Sequence, residues 1–180
     1  MYAGSPSKLI CSAMPLGWQT GTDMTANISL ISEASDMRRS WNAELRNFAD
    51  PAFRLFKIEL TSGEGEYMTP PLMRLMPGDS FHIVIDADFE DFIPAGGTTR
   101  TLIRDPHPGS IRCKNLGIAA VPFTSSGRVV TLATPAAEEV RISARYDLSV
   151  MITEPWKFSE RASDRKVSWS VVVEEVGGSS

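Results

Sequence analysis

The sequence is poor in the residues that carry most protein chemistry. Its 180 residues include two cysteines and two histidines. Cys11 and Cys113 stand far apart, so there is no zinc ribbon, redox Cys-x-x-Cys pair or disulfide framework to read, and two reduced thiols are expected. His107 lies in Asp105-Pro106-His107-Pro108, where flanking prolines favour a rigid turn over a general base. No serine occupies a Gly-x-Ser-x-Gly elbow, and the Gly-Gly-Thr-Thr of 96–99 lacks the lysine of a phosphate-cradling loop. With no catalytic constellation and no cofactor motif, the chain reads as a non-enzyme that needs no cofactor.

Positive charge is also scarce. Lys and Arg number 18 against 22 Asp and Glu, a formal charge of −4. A nucleic-acid partner is not expected, because binding to phosphates draws on a cationic excess. No stretch approaches the ~20 apolar residues of a membrane helix, which argues against a membrane partner. Ser12 and Pro15 interrupt the apolar residues of the first segment, so no signal peptide is expected. The hydrophobic share of 42% is nevertheless enough for a core. The length fits one domain over residues 1–180.

What the sequence does contain is alternation. Val140, Ile142, Ala144, Tyr146, Leu148, Val150 and Ile152 fall at every second position, the period of a half-buried strand. The run is long for one strand and predicts a bend near Asp147. Val167, Trp169, Val171 and Val173 repeat the pattern, and antiparallel pairing of the two segments is the economical arrangement. Phe81 to Phe89 alternates after Pro77-Gly78-Asp79-Ser80, a turn signature. Arg128 to Thr134 and Met37 to Leu45 read as further strands. Asp50-Pro51 is a helix-start pair, followed by Ala52, Phe53, Phe56 and Leu60 at helical spacing and closed by Gly63. Phe56, Ile58 and Leu60 also fit alternation. Residues 94–117 read as a long loop excursion with a weak strand at Thr101 to Arg104, and Pro155 to Lys166 as an exposed loop. The expected fold is mainly β, an antiparallel β-sandwich with one short α-helix and long loops.

One dense acidic run exists, Asp86, Asp88, Glu90 and Asp91. Side chains two apart on a strand are about 6.5–7 Å apart, too far to share one ion, so a solvated face is expected. Asp86, Asp88 and Glu90 are the weak calcium candidates, and no metal is otherwise expected. Trp18, Trp156 and Phe158 are aromatics near turns, of the kind that anchor interfaces. Trp156 and Phe158, with Arg104 in the excursion, are the interface candidates.

Several short motifs stand in a distinctive order. Trp41-Asn42-Ala43-Glu44-Leu45 is followed by Asp50-Pro51, by Gly63 and Gly65, and by Tyr67-Met68-Thr69-Pro70-Pro71. The chain closes on Ser168-Trp169-Ser170-Val171 and Glu174-Glu175-Val176. Over Met37 to Pro71 and Tyr146 to Val176 this order resembles the tail-tip structural proteins of long-tailed bacteriophages, the distal tail and lambda-type minor tail proteins. The resemblance implies a structural virion protein of the tail tip or baseplate, made in the host cytoplasm and resident in the tail. It also implies a homo-oligomeric ring that docks onto tail tube, tape measure and baseplate hub proteins. The alternative reading is a β-sandwich carbohydrate- or ligand-binding module with calcium at Asp86, Asp88 and Glu90.

Overall fold

A computed structural model describes residues 9–14, 24–50, 53–63 and 68–177. The protein is mainly β, with antiparallel sheets and a β-sandwich-like fold. Its contacts divide the chain into two compact units, a finer division than the single domain expected from length. Met1–His82 with Ser149–Ser180 form the first, and Ile83–Leu148 the second.

In chain order the strands are β1 (Ile10–Cys11), β2 (Met24–Leu30), β3 (Met37–Arg39), β4 (Leu45–Asn47) and β5 (Phe56–Ser62). There follow β6 (Ser80–Val84), β7 (Phe89–Ile93), β8 (Thr99–Thr101), β9 (Arg112–Asn115) and β10 (Phe123–Ser126). The last five are β11 (Val129–Leu132), β12 (Val140–Ala144), β13 (Asp147–Ile152), β14 (Lys157–Arg161) and β15 (Lys166–Glu175).

The first unit is built on a sheet with strand order β1-β6-β13-β15-β5-β2, and β14 also pairs with β15. Register explains its core. Ile28, Ile58, Val173 and Ile152 stand side by side across β2, β5, β15 and β13, with Ala26, Leu60 and Val171 in the next row. Ile58, Leu60, Val173, Val171 and Ile152 are essentially sealed from solvent. Such cross-strand apolar rows are the unit of sheet stabilisation. The opposite face is wet, where Lys57 pairs with Glu154 at 3.0 Å and Glu174 at 3.6 Å.

The alternation in β15 is obeyed throughout, with Val167, Trp169, Val171 and Val173 all buried. Its expected antiparallel partner is β13, with Ile152 opposite Val173. The turn at Pro77-Gly78 is present, and Gly78 takes the positive φ of 99° that its third position requires. Asp79 closes it, donating its N–H to the Met76 carbonyl and accepting the Met76 N–H on its carboxylate.

Three expectations are corrected in this unit. The α-helix expected from Asp50 to Gly63 does not form over the described residues: 56–62 is strand β5, and Pro51 and Ala52 lie outside the described residues. β5 is paired along its length with β2 and also with β15, so the sheet satisfies its backbone on both sides and overrides a short helical pattern. Among the described residues the helical segments are short 3-10 turns such as Ser32–Ala34 and Leu72–Arg74. Met37 to Leu45 is not one strand. The chain reverses at Ser40 to Glu44, so β3 and β4 form a hairpin. The loop expected at Pro155 to Lys166 contains β14, paired with β15 from Lys157–Ser170 to Arg161–Lys166.

The second unit holds two three-stranded antiparallel sheets, β10-β11-β8 and β7-β12-β9. Their inward residues, including Val130, Leu132, Ile93, Ile142, Ala144 and Cys113, form the core. The long alternating run divides where a bend was expected, with Arg145 and Tyr146 between β12 and β13. The break is bonded: Arg145 N–H donates to Ser110 Oγ, and its guanidinium donates to the Ile85 carbonyl. Tyr146 stacks on Phe89 with ring centres 4.9 Å apart. The 94–117 excursion contains β8 and β9, and its strand lies at Thr99–Thr101, slightly before the expected Thr101 to Arg104. β10 and β11 form a hairpin closed by Gly127-Arg128, with Gly127 at φ 54°.

Candidate interaction surfaces

The acidic run does not share one straight strand face. The strand expected from Phe81 to Phe89 ends at Val84, and β7 begins at Phe89. Ile83, Val84 and Ile85 are all buried, a run that alternation cannot accommodate, and the chain bends through Asp86 to Asp88. Two of the carboxylates are engaged by arginine. Asp91 takes a two-point grip from Arg100, Nε to Oδ2 at 2.9 Å and Nη2 to Oδ1 at 2.8 Å. The same guanidinium lies 5.7 Å from the Phe92 ring centre. Arg100 belongs to β8 and Asp91 to β7, so this fork joins the two sheets of the second unit. Glu90 lies 3.6 Å from Arg141. Among the described residues no three His, Cys, Asp or Glu side chains come together as a metal site, so Asp86, Asp88 and Glu90 are not brought together as calcium ligands.

The aromatic candidates fall on one arm. From Ile152 to Lys157 the chain advances five residues while β15 advances three, from Ser170 to Val173. The surplus at Thr153 to Trp156 is a bulge that carries Glu154-Pro155. Trp156 is half-buried and donates its indole N–H to the Leu75 carbonyl at 3.0 Å. Its apolar body therefore packs within its own unit rather than standing free. Phe158, opposite Trp169 on β15, remains 46% exposed. Arg104 follows β8, is half-buried and donates to the Ile103 carbonyl. Trp18 lies outside the described residues.

Two surfaces escaped sequence reading. The first is the β3–β4 hairpin, all six of whose strand residues are exposed. Met37, Leu45 and Phe48 stand half out in solvent, and Trp41 at the tip is 99% exposed. Its turn is held from within: Ala43 N–H donates to the Ser40 carbonyl, Ser40 N–H donates to the Glu44 carbonyl, and Ser40 Oγ bonds Asn42 Oδ1. Ala43 accepts φ 64° to close it. Arg38 and Arg46 oppose each other, a costly pairing offset by Asp36 at 2.8 Å and Glu44 at 2.7 Å. An isolated two-stranded hairpin is marginal in water, so local bonds hold its shape while its apolar side chains stay uncovered. The clue in the sequence was Asn42 beside Trp41: an asparagine that can bond its own turn breaks the alternation around it.

The second is the edge strand β2. Met24-Thr25-Ala26-Asn27-Ile28-Ser29-Leu30 contains no charge and no proline, the devices that usually blunt a sheet edge. It pairs with β5 over seven positions and ends the strand order among the described residues. Among the described residues its opposite backbone edge is unpaired, and such an edge accepts another strand.

Neither thiol is suited to nucleophilic chemistry. Burial pushes Cys113 up to about 11. Burial also raises Cys11, opposed by backbone hydrogen bonds at Ala13 and Met14. At pH 8 we expect a thiol reagent to modify Cys113 in the native protein about two orders of magnitude more slowly than in the unfolded chain. Equal rates in native buffer and denaturant would contradict the burial of Cys113. The folded pKa lies above the unfolded one, so the linked stability is intact below the ordinary thiol range. It is lost as pH rises towards about 11.

No protein-family model matches this chain, and no curated protein matches it.

Proposed function

We propose that this protein is a structural subunit of a long-tailed bacteriophage tail tip or baseplate. It works by assembling into a homo-oligomeric ring and docking onto neighbouring tail components, with no bond made or broken. The observation that carries the reading is the β3–β4 hairpin, an internally braced projection whose Trp41 is 99% exposed. A tryptophan held fully in water serves no folding purpose, and tryptophan is among the strongest interface anchors. The uncharged β2 edge supports the same reading, because it offers a second, different surface. A closed cyclic ring requires two different mating surfaces on each subunit. The resemblance of the motif order over Met37 to Pro71 and Tyr146 to Val176 to tail-tip proteins supports the phage-tail reading.

Light scattering and negative-stain images of the purified protein at tens of micromolar test this. The expected result is a ring of several subunits, with gold label at a C-terminal tag located on virion tails. A Trp41→Ser, Leu45→Ser double variant should remain monomeric with an unchanged melting temperature, since neither side chain is in the core. A wild-type chain that stays monomeric at every concentration and never joins a tail overturns the proposal.

A further inference from the structure

The outward face of β7-β12-β9, within the second unit, carries an ordered set of charges. Register places Glu90, Ser143 and Arg112 in one row and Phe92, Arg141 and Lys114 in the next. Arg141 thus stands directly opposite Lys114, a like-charge pair that disfavours the folded sheet. Arg141 has Glu90 at 3.6 Å. Arg112 and Lys114 form no ion pair among the described residues. These side chains line a groove of about 470 Å³, with Asp88 on its wall and Leu116 and Ile118 also lining it. That volume suits a few side chains of a bound segment.

The loop after β9 has a second unusual property. Leu116 is 62% exposed and Ile118 74% exposed, so neither contributes much to the core. Ile118 nevertheless adopts φ 68°, a conformation that β-branched residues rarely take. Three hydrogen bonds impose it: Asn115 N–H to the Ala119 carbonyl, Ile118 N–H to the Asn115 carbonyl, and Ala119 N–H to Asn115 Oδ1. Backbone strain that presents an aliphatic side chain to water stabilises nothing within the unit, and such strain concentrates at binding sites.

We infer that this groove binds an extended acidic segment of another protein, of pattern acid-x-acid-x-aliphatic. Arg112 and Lys114 are two residues apart on β9, a spacing of about 6.5–7 Å that equals the spacing of alternate side chains in an extended peptide. Two carboxylates at that interval meet both cations, and Arg112 can grip one through two bonds. The next alternate position of the peptide reaches the Leu116 and Ile118 loop, where an aliphatic side chain gains apolar cover. A nucleic acid fits less well, because two unpaired cations release few counterions. Asp88 and Glu90 on the same groove repel any polyanion and restrict an acidic segment to the two carboxylates that Arg112 and Lys114 can pair. The inference stands apart from the tail assignment, since it needs neither a ring nor a virion.

The test is fluorescence anisotropy with the full-length protein and a labelled peptide containing Glu-Ser-Glu-Ser-Leu, at low and moderate salt. Saturable binding that weakens with salt is expected. An Arg112→Glu, Lys114→Glu double variant should lose at least tenfold in affinity, and a Leu116→Ser, Ile118→Ser variant several-fold. Replacing both peptide glutamates with glutamine should abolish binding. Ile118→Gly provides a control for folding: it should raise the melting temperature by relieving φ while weakening the peptide. Absence of binding by the wild type, equal binding of the glutamine peptide, or tighter binding of a short oligothymidylate overturns the inference. So does indifference of the peptide to the Arg112 and Lys114 changes.

Discussion

Replacing Trp169 by alanine should cost the first unit roughly 3–5 kcal/mol, the usual loss for a buried large aromatic. Trp169 is 2% exposed and stands second in the buried row Val167, Trp169, Val171 and Val173 on β15. It stands opposite Phe158 on one side, and its backbone N–H donates to Ser62 Oγ at 2.8 Å on the other. The alanine variant keeps that backbone bond and loses only the side chain, so the loss reports packing. Ser62 is itself 5% exposed, and the bond to Trp169 satisfies a hydroxyl that burial would otherwise penalise. Urea titration followed by circular dichroism measures the change. Trp169→Phe should lose less than half as much, since it keeps an aromatic ring. A loss below about 1 kcal/mol for the alanine variant would contradict the burial that places Trp169 in the core.

Ile142→Ala should produce the second large effect, roughly 2–5 kcal/mol in the other unit. Ile142 is fully buried on the central strand β12, flanked in register by Asp91 on β7 and Cys113 on β9. Both neighbours are constrained: Asp91 by the Arg100 fork, Cys113 by its own burial. The cavity therefore cannot collapse cheaply. Hydrogen exchange of the β7, β9 and β12 amides is the sharper measurement, because it reports local opening within this unit. Ile142→Val should cost about 1 kcal/mol. Unchanged protection in the alanine variant would contradict the placement of Ile142 at the centre of this core.

The mainly β architecture was legible where one face of a strand is buried and the other wet. From Val140 to Ile152 each apolar position of the alternation is buried, even across the break at Arg145 and Tyr146. β15 behaved the same way. The period of two survives there because side-chain direction alternates whatever the partner strand. The pattern failed at β5, whose residues fit helix and strand alike, and at Ser40 to Glu44, where a turn hides inside alternating residues. It failed also at β14, whose five residues are all exposed and leave no apolar signature. Of the sequence-derived site residues, Phe158 kept an exposed face, Trp156 was drawn into an internal hydrogen bond, and the acidic run was divided by a bend and bound by arginines.

By itself the sequence determined which residues are buried on the long strands and where Pro77-Gly78 turns the chain. Only the tertiary structure decided that β5 is a strand, that Trp41 projects on a hairpin, and that Arg112, Lys114 and Arg141 share one face with Leu116 and Ile118 nearby. The reason is physical. Alternation is a local consequence of backbone geometry and can be read from neighbours in the chain. Pairing and register are settled between segments far apart in sequence, by the backbone hydrogen bonds and apolar rows that form only when those segments meet.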